Sequence, residues 1–312
     1  MPIAPALSIR DVRFRYGEHE AVRGVSFDVA PGEVFALLGP NGSGKTTLFR
    51  LISTLVPLQE GEIDVLGTSL RQHPAAVRGY LGVVFQSPSI DKKLTVLENL
   101  LHHGRLYGLA GGTLKQKATT MIERLGLSDK LTASVETLSG GQRRRVELAQ
   151  SMLHDPKVLV LDEPATGLDP GARSDIWRYF ATLADEGVTI LLTTHLLEEA
   201  ERADRLGIMH QGELVALDTP LALQASLGGD TITLRTTDAQ TLADQIASRF
   251  DFTPAVVDGT VRLEHPNGHQ LIPQLVEAFG DQIDAVTLGK PTLEDVFIAR
   301  TGHQFFSDTH ES

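Results

Sequence analysis

The chain has 312 residues, 41% of them hydrophobic and 22% charged, values typical of a globular protein with room for one large and one small domain. The formal net charge of −12 argues against a nucleic-acid partner, because such proteins present a basic face to phosphates. The only dense basic run, residues 143–145, is interpreted as one turn of a solvated helix face. The chain has no cysteine, so disulfides and thiolate metal sites are excluded.

Targeting and membrane signals are not evident in the sequence. Residues 1–5 lack a basic segment followed by an apolar one, so no secretory signal is expected. The longest apolar runs, 158–161 and 188–192, have the length of strands and fall well short of the ~20 residues that span a bilayer. These features predict a cytoplasmic location.

The first third of the chain predicts strands around a glycine-rich loop. Residues 7–14 alternate between apolar and polar, as a half-exposed antiparallel strand does, whereas residues 34–38 are all apolar, as in a buried parallel strand. The sequence GPNGSGKT follows at once and fits the P-loop pattern. Its residues are Gly39, Pro40, Asn41, Gly42, Ser43, Gly44, Lys45 and Thr46. Residues 47–55 then predict a helix with Leu48, Leu51, Ile52 and Leu55 on one face.

This order of strand, loop and helix turns the pattern into a nucleotide-binding hypothesis. The glycines let backbone N–H groups converge on phosphate oxygens, and the helix start adds a partial positive charge. We expect Lys45 to reach the β- and γ-phosphates, Thr46 to ligate Mg²⁺, and the phosphate site to extend to Thr47.

Residues 87–155 change to helical spacing and predict a helical insertion between two buried strands, 81–85 and 158–161. A capping box at residues 95–98 begins the first helix of this insertion. The two glycines at 111–112 are expected to break that helix.

The last helix of the insertion begins within LSGGQ at 138–142, where Ser139 and Gln142 have the spacing of a capping box. The buried stripe of this helix is expected at Val146, Ala149 and Leu153. A capped helix start with two glycines, Gly140 and Gly141, also exposes N–H groups that suit a phosphate. Both interpretations can hold together, and a head-to-tail pair of chains would then use both phosphate-binding helix starts.

Two predicted buried strands are followed by ionisable side chains that could take part in catalysis. Residues 158–161 lead into Asp162 and Glu163, and residues 188–193 precede His195. Strands that alternate with helices predict a parallel sheet whose ligand lies at the carboxyl ends of the strands. We expect Asp162 to meet Mg²⁺ and Glu163 to orient and deprotonate water. The alternative is that these two acids only cap the end of a strand.

The last part of the chain has a different character. Residues 229–302 read as βαββαβ, with a hairpin turn at 258–259, which is the ferredoxin-like pattern. A final helix opens with a capping box at 292–295 and stops at Gly302, with Leu293, Val296 and Phe297 on its buried side. We therefore predict a small α+β domain at 229–302 that follows a larger one at 5–220.

Over about residues 5–220 the sequence resembles the nucleotide-binding subunit of an ABC transporter. The resemblance rests on GPNGSGKT at 39–46, LSGGQ at 138–142 and VLVLDEP at 158–164, in this order. It implies an α/β P-loop ATPase with a RecA-like parallel core, an antiparallel β subdomain and a helical subdomain at about 87–155. It also implies ATP and Mg²⁺ as cofactors.

The resemblance assigns roles to further residues. Tyr16 would stack on adenine, Gln86 would sense Mg²⁺ and face the membrane subunit, and His195 would contact the γ-phosphate. Asp169 would lie in the loop that links two protomers of a homodimer, in which residues 139–142 of one chain close over the nucleotide of the other. Simpler interpretations are an edge-strand aromatic for Tyr16, a polar strand cap for Gln86 and a helix N-cap for Asp169.

The C-terminal domain, which ends in the segment at 291–297, resembles the C-terminal extension of ABC-2-type exporter ATPases, such as the daunorubicin-resistance and Nod-factor-export families. This resemblance indicates the subfamily. The implied function is an ATP-hydrolysing subunit that powers export through a separate ABC-2-type membrane permease, on the inner face of the cell membrane. The alternative is a non-transport ABC ATPase that acts as a mechanochemical or regulatory module. Such proteins usually carry two cassettes in one chain or a long coiled-coil insertion, and neither is evident in this sequence.

Overall fold

A computed structural model describes residues 4–250, 252–303 and 305. Residues 1–3, part of the N-terminal segment in which no secretory signal is expected, lie outside the described residues. The chain divides into two compact units between Val215 and Ala216.

Strands and helices alternate through most of the described chain. The strands are β1 (Leu7–Tyr16), β2 (His19–Val29), β3 (Val34–Leu38), β4 (Glu60–Val65), β5 (Thr68–Ser69), β6 (Leu81–Val84), β7 (Val158–Asp162), β8 (Thr189–Thr194), β9 (Arg205–His210), β10 (Glu213–Asp218), β11 (Asp230–Arg235), β12 (Ala255–Val257), β13 (Thr260–His265) and β14 (Ala285–Gly289). The α-helices are α1 (Lys45–Ile52), α2 (Pro74–Tyr80), α3 (Val96–Leu106), α4 (Gly111–Arg124), α5 (Gly140–Met152), α6 (Pro170–Asp185), α7 (Leu197–Ala200), α8 (Pro220–Ala225), α9 (Ala239–Arg249), α10 (Gly268–Phe279) and α11 (Leu293–Thr301).

A six-stranded sheet in the order β10-β9-β3-β8-β7-β6 forms the core of the first unit, which ends within β10. β3 runs parallel to β8 and β9, and β7 runs parallel to β6 and β8. Every residue of β3 and β7 is buried, which explains why β3 and the first four residues of β7 are continuous apolar runs. The predicted parallel core is confirmed, and the carboxyl ends of these strands meet at one edge of the sheet.

A second, antiparallel sheet in the order β2-β1-β4-β5 accompanies this core. Phe27 of β2 stacks on Phe35 of β3, with ring centroids 4.9 Å apart and planes within 2° of parallel. This aromatic contact ties the antiparallel sheet to the strand that leads into the P-loop.

Helices α3, α4 and α5 form the predicted helical insertion and pack on one another. The capping box of α3 is present: Thr95 N–H donates to Glu98 Oε2 at 2.8 Å, and Glu98 N–H donates to Thr95 Oγ1 at 3.2 Å. The prediction that residues 111–112 break this helix was wrong, because α3 already ends at Leu106. The chain turns at Gly108, which has a φ of 77°, and the two glycines begin α4.

The helix after the P-loop is shorter than predicted. α1 ends at Ile52, and Thr54 takes a left-handed φ of 61° that a continuing helix does not allow. Leu55 is therefore 54% exposed, whereas Leu48, Leu51 and Ile52 are fully buried. α2 was not predicted, because Val77 is the only buried residue in its seven positions.

The second unit has the predicted βαββαβ order, with an antiparallel sheet in the order β12-β13-β11-β14. One face of this sheet packs on α9 and α10 through Ile232, Leu234, Leu242, Ile246, Val261, Leu263, Leu271 and Leu275. The capping box of α11 is present, and the helix stops at Gly302 with a φ of 71°. Leu293, Val296 and Phe297 are fully buried, as predicted.

Leu234→Ala should destabilise the second unit by about 2–5 kcal/mol, because this side chain is fully buried in its core. Amide hydrogen exchange should then lose protection in β11 and β13, while β3 and β7 keep theirs. Leu288→Ala is the control, since Leu288 is 43% exposed. Equal loss of protection in β7 would show that the two units do not unfold separately.

Candidate active site

The P-loop follows β3 and wraps into the first turn of α1. Gly44 is the N-cap of α1 and has a φ of 101°, a conformation open to glycine alone. A Cβ at this position would also lie 2.5 Å from the Ala21 carbonyl oxygen, so the close approach of β2 excludes a side chain. The sequence therefore forms the tight loop that the motif predicts.

Lys45 folds back over this loop. Its Nζ donates to the carbonyl oxygens of Gly39 at 2.6 Å and Pro40 at 2.9 Å, and the residue is only 4% exposed. Burial lowers the pKa of Lys45 to about 8, although the nearby carboxylates of Glu163 and Asp162 act in the opposite direction. The ammonium group is thus held in an environment that favours added negative charge.

A cavity of about 180 Å³ opens beside the loop. Its lining residues are Tyr16, His19, Ala21, Asn41, Gly42, Ser43, Gly44, Lys45, Thr46, Thr47 and Glu163. Ser43 Oγ is buried without a hydrogen-bond partner in the described chain, and Tyr16 is 44% exposed. A buried hydroxyl, backbone N–H groups at a helix start and a lysine are a donor set that fits phosphate oxygens.

Asp162 ends β7 and contacts two hydroxyls. Thr193 Oγ1 donates to its Oδ1 at 2.6 Å, and Thr46 Oγ1 lies 3.4 Å from the same oxygen. Burial raises the pKa of Asp162. Among the described residues no group of three or more His, Cys, Asp or Glu side chains could hold a metal. The hard oxygens of Thr46 and Asp162 fit Mg²⁺ bound jointly with nucleotide phosphates.

Glu163 follows in a left-handed conformation, with a φ of 46°. Its Oε2 accepts hydrogen bonds from Gln86 Nε2 at 3.0 Å and Thr166 Oγ1 at 3.2 Å. His195 Nδ1 lies 3.2 Å from the same oxygen, without the alignment of a hydrogen bond. The residues predicted after β6, β7 and β8 therefore meet at one carboxylate, at the edge of the P-loop cavity.

The LSGGQ segment belongs to a second group of residues, which does not line that cavity. Its capping box is present: Ser139 N–H donates to Gln142 Oε1 at 2.9 Å, and Gln142 N–H donates to Ser139 Oγ at 3.2 Å. A Cβ on Gly141 would lie 2.7 Å from the Ala172 Cβ, so α5 and α6 approach closely here.

Asp169 belongs to this second group. Its Oδ1 accepts from Ala172 N–H at 2.9 Å, so it caps α6 beside the start of α5. The N-cap interpretation of Asp169 is therefore correct, and it is compatible with a role between protomers.

Three side chains that hold the site were not predicted as site residues. Thr193 and Thr166 orient Asp162 and Glu163, as described above. Arg144, predicted on a solvated face with its neighbours, is instead only 6% exposed. The acidic residue at i+3, Glu147, fits the counter-charge that a buried arginine needs, but the same spacing is equally typical of an exposed pair, so it does not reveal the burial.

Comparison with known proteins identifies the family of this chain. The ABC transporter family model matches residues 22–166. The chain is 38% identical over 307 residues to the daunorubicin resistance ATP-binding protein DrrA2 of Streptomyces coeruleorubidus. This alignment covers 93% of each protein. The chain belongs to the ABC transporter family. It is also 38% identical to the Nod factor export ATP-binding protein I of Paraburkholderia xenovorans (strain LB400), over 97% of this chain and 99% of that protein.

A solved structure shares the fold of this ABC protein. It is a dimeric post-hydrolysis state of the ATP-binding cassette MJ0796 bound to ADP and Pi, with a TM-score of 0.62, 25% identity and coverage of 68% of this chain and 98% of that one. The predicted family, ABC ATPase fold and exporter function are confirmed: the protein is an ATP-binding, ATP-hydrolysing subunit of the ABC-2 exporter type. No helix in the described part of the chain has the length and apolarity to cross a membrane.

The buried ammonium of Lys45 should make stability depend on pH. The unfolded chain binds a proton at Lys45 up to about pH 10.5 and the folded chain only up to about pH 8, so stability should rise with pH between these values. Relative to Lys45→Met, the free energy of unfolding of the nucleotide-free protein should increase by about 3 kcal/mol over this range. Urea denaturation at several pH values measures this difference, and a difference that stays constant would contradict the lowered pKa.

Proposed function

We propose that the cavity beside the P-loop binds ATP, with the phosphates on residues 39–47 and the adenine against Tyr16. The donor set of Lys45, Ser43 and the start of α1 supports the phosphate position. Tyr16 lies at the edge of the cavity, half-exposed and in edge contact with Phe14, so that part of its ring is open to stacking.

Glu163 is the residue that orients and deprotonates the attacking water in this proposal. The observation that carries it is the shared Oε2 atom, which contacts Gln86, Thr166 and His195 at 3.0–3.2 Å at the edge of the P-loop cavity. Contacts of this kind fix the direction of a carboxylate before substrate binds. Gln86 and His195 would then respond to the γ-phosphate through the oxygen that they share.

Thr46, Asp162 and Gln86 are the residues proposed to hold Mg²⁺. When bound, the ion neutralises charge on the phosphate oxygens. Thr193 keeps the Asp162 carboxylate in place, through a hydrogen bond that also favours its ionised form.

The site would be completed by a second copy of the chain. Residues 139–142 and Asp169 lie together, yet outside the P-loop cavity of their own chain. In a head-to-tail homodimer, residues 139–142 of the partner subunit would present the capped start of α5 to the γ-phosphate. The dimeric state of the MJ0796 cassette supports this arrangement.

This dimer is proposed to act from the cytoplasm, on the inner face of the cell membrane, through a separate ABC-2-type permease. The names of the relatives, which concern drug resistance and Nod factor export, support this placement. Gln86 joins Glu163 to the segment at 86–100, so closure of the site would be transmitted to the permease through that segment. Stimulation of ATPase activity in the purified complex would identify the exported compound.

Glu163→Gln should lower kcat at least about 100-fold while ATP binding is retained. The amide keeps the shape of the side chain but cannot take a proton from water. An ATP-bound dimer should therefore accumulate, which size-exclusion chromatography with bound-nucleotide analysis can measure. Glu198→Gln is the matched control, because the Glu198 side chain is 83% exposed. Full turnover in Glu163→Gln would remove Glu163 as the base.

Turnover should also depend on protein concentration. Because each site needs residues from two chains, the activity per subunit at saturating ATP should fall as dilution dissociates the dimer. Mass photometry gives the fraction of dimer at each concentration. Constant activity per subunit in a monomeric sample would contradict the composite site.

A further inference from the structure

The guanidinium of Arg144, in the second turn of α5, reaches two loops of the active site. Its Nε donates to the Pro164 carbonyl oxygen at 2.7 Å and its Nη1 to that of Phe85 at 2.6 Å. Its Nη2 lies 3.2 Å from the Asp162 carbonyl oxygen and 3.4 Å from that of Glu163. One side chain thus holds together α5, the end of β6 and the loop after β7.

Glu147, one turn later on α5, supplies the counter-charge. Its Oε2 accepts from Arg144 Nη1 at 2.9 Å, and its Oε1 accepts from Ser89 N–H at 2.8 Å. The two side chains are only 7% and 4% exposed. The pair therefore fixes the segment at 85–89 at both ends, and Gln86 lies within it.

The loop that Arg144 holds has a strained backbone. Glu163 has a φ of 46°, a left-handed conformation that residues other than glycine rarely adopt. Its N–H donates to Thr193 Oγ1 at 3.0 Å, and Arg144 binds its carbonyl oxygen and those of both neighbours. Such a conformation persists only where the surrounding groups over-determine it.

We propose that Arg144 is a positioning residue for ATP hydrolysis, which holds the left-handed turn at Glu163 and the Gln86 segment beside it so that the Glu163 carboxylate faces the P-loop cavity. This inference rests on the role of Glu163 proposed above. Arg144 also lies on the helix that residues 139–142 begin. The same contacts therefore connect residues 139–142, which would close on the partner's nucleotide, to residues 162–166 of their own chain (the hydrolysis loop).

The double variant Arg144→Met with Glu147→Gln tests this role. It removes both buried charges together, so no unpaired charge is left in the core, and the amide oxygen at position 147 can still accept from Ser89 N–H. We expect kcat to fall at least about 30-fold, while the Kd for ADP, measured by calorimetry, changes by less than about threefold.

Arg143→Met is the matched control on the same helix. The Arg143 guanidinium donates to the carbonyl oxygens of Val135 and Glu136 and to no residue of the hydrolysis loop. Its kcat should stay within about twofold of wild type. General structural damage would lower ADP affinity together with kcat, so a parallel loss of both in the double variant would overturn the positioning role, as would full turnover.

Mixed dimers test whether Arg144 acts on the Glu163 of its own chain. In a dimer of a Glu163→Gln subunit and an Arg144→Met, Glu147→Gln subunit, neither site has a positioned glutamate, and turnover should fall at least about 30-fold below that of a dimer of Glu163→Gln and wild-type subunits. With all three substitutions in one subunit, the wild-type subunit keeps one intact hydrolysis loop, and turnover should match that of the Glu163→Gln and wild-type pair. The proposal would be overturned if the dimer with substitutions in both subunits turned over faster than the dimer with all three in one subunit. Equal and measurable turnover of the two dimers would also overturn it.

Glu163→Gln alone separates the two proposals. Retained turnover in that variant would overturn the role of Glu163 and, with it, the role of Arg144. If Glu163→Gln is inactive but the double variant at 144 and 147 is fully active, only the inference about Arg144 would be overturned.

Discussion

Three ionisable groups, Lys45, Asp162 and Glu163, are buried together at the carboxyl edge of the parallel sheet, with exposures of 4%, 3% and 6%. Burial lowers the pKa of Lys45 to about 8 and raises that of Asp162, so desolvation outweighs the attraction between their charges. Loop carbonyls and the hydroxyl of Thr193 compensate only in part. In the proposed complex with ATP and Mg²⁺, phosphate oxygens beside the ammonium and a divalent cation beside the carboxylate would complete the charge balance.

The parts of this site that were predictable depend on short-range signals. The P-loop and the capping boxes are set by residues within about four positions of one another. Continuous apolar runs before Gly39 and Asp162 predict parallel strands, and parallel strands bring their carboxyl ends to one edge. That single topological step places Lys45, Asp162 and Glu163 together. The roles expected for Gln86 and His195 came from the family resemblance, and the structure brings both to the Glu163 carboxylate.

The rest was not predictable, because it depends on distant partners. Three consecutive arginines on a helix have the pattern of a solvated face, yet the carbonyls that bury Arg144 belong to residues 59 and 20 positions away, Phe85 and Pro164. The predicted ends of α1 and α3 were wrong for a different reason. Thr54 and Gly108 take left-handed conformations that end α1 and α3, and apolar spacing alone does not reveal such turns.

Stability alone does not explain why α5 buries an ion pair. Desolvation of both charges offsets much of their attraction, and apolar side chains of the same volume are often more stabilising by about 1–4 kcal/mol. An apolar pair could not, however, donate hydrogen bonds in one plane to the carbonyls of two separate loops, as Arg144 does. Those loops carry Gln86 and Glu163, and the backbone of Glu163 is held in a conformation that the chain would otherwise leave. The buried pair therefore maintains the geometry of the hydrolysis loop, at a cost in free energy that the stability of the fold does not require.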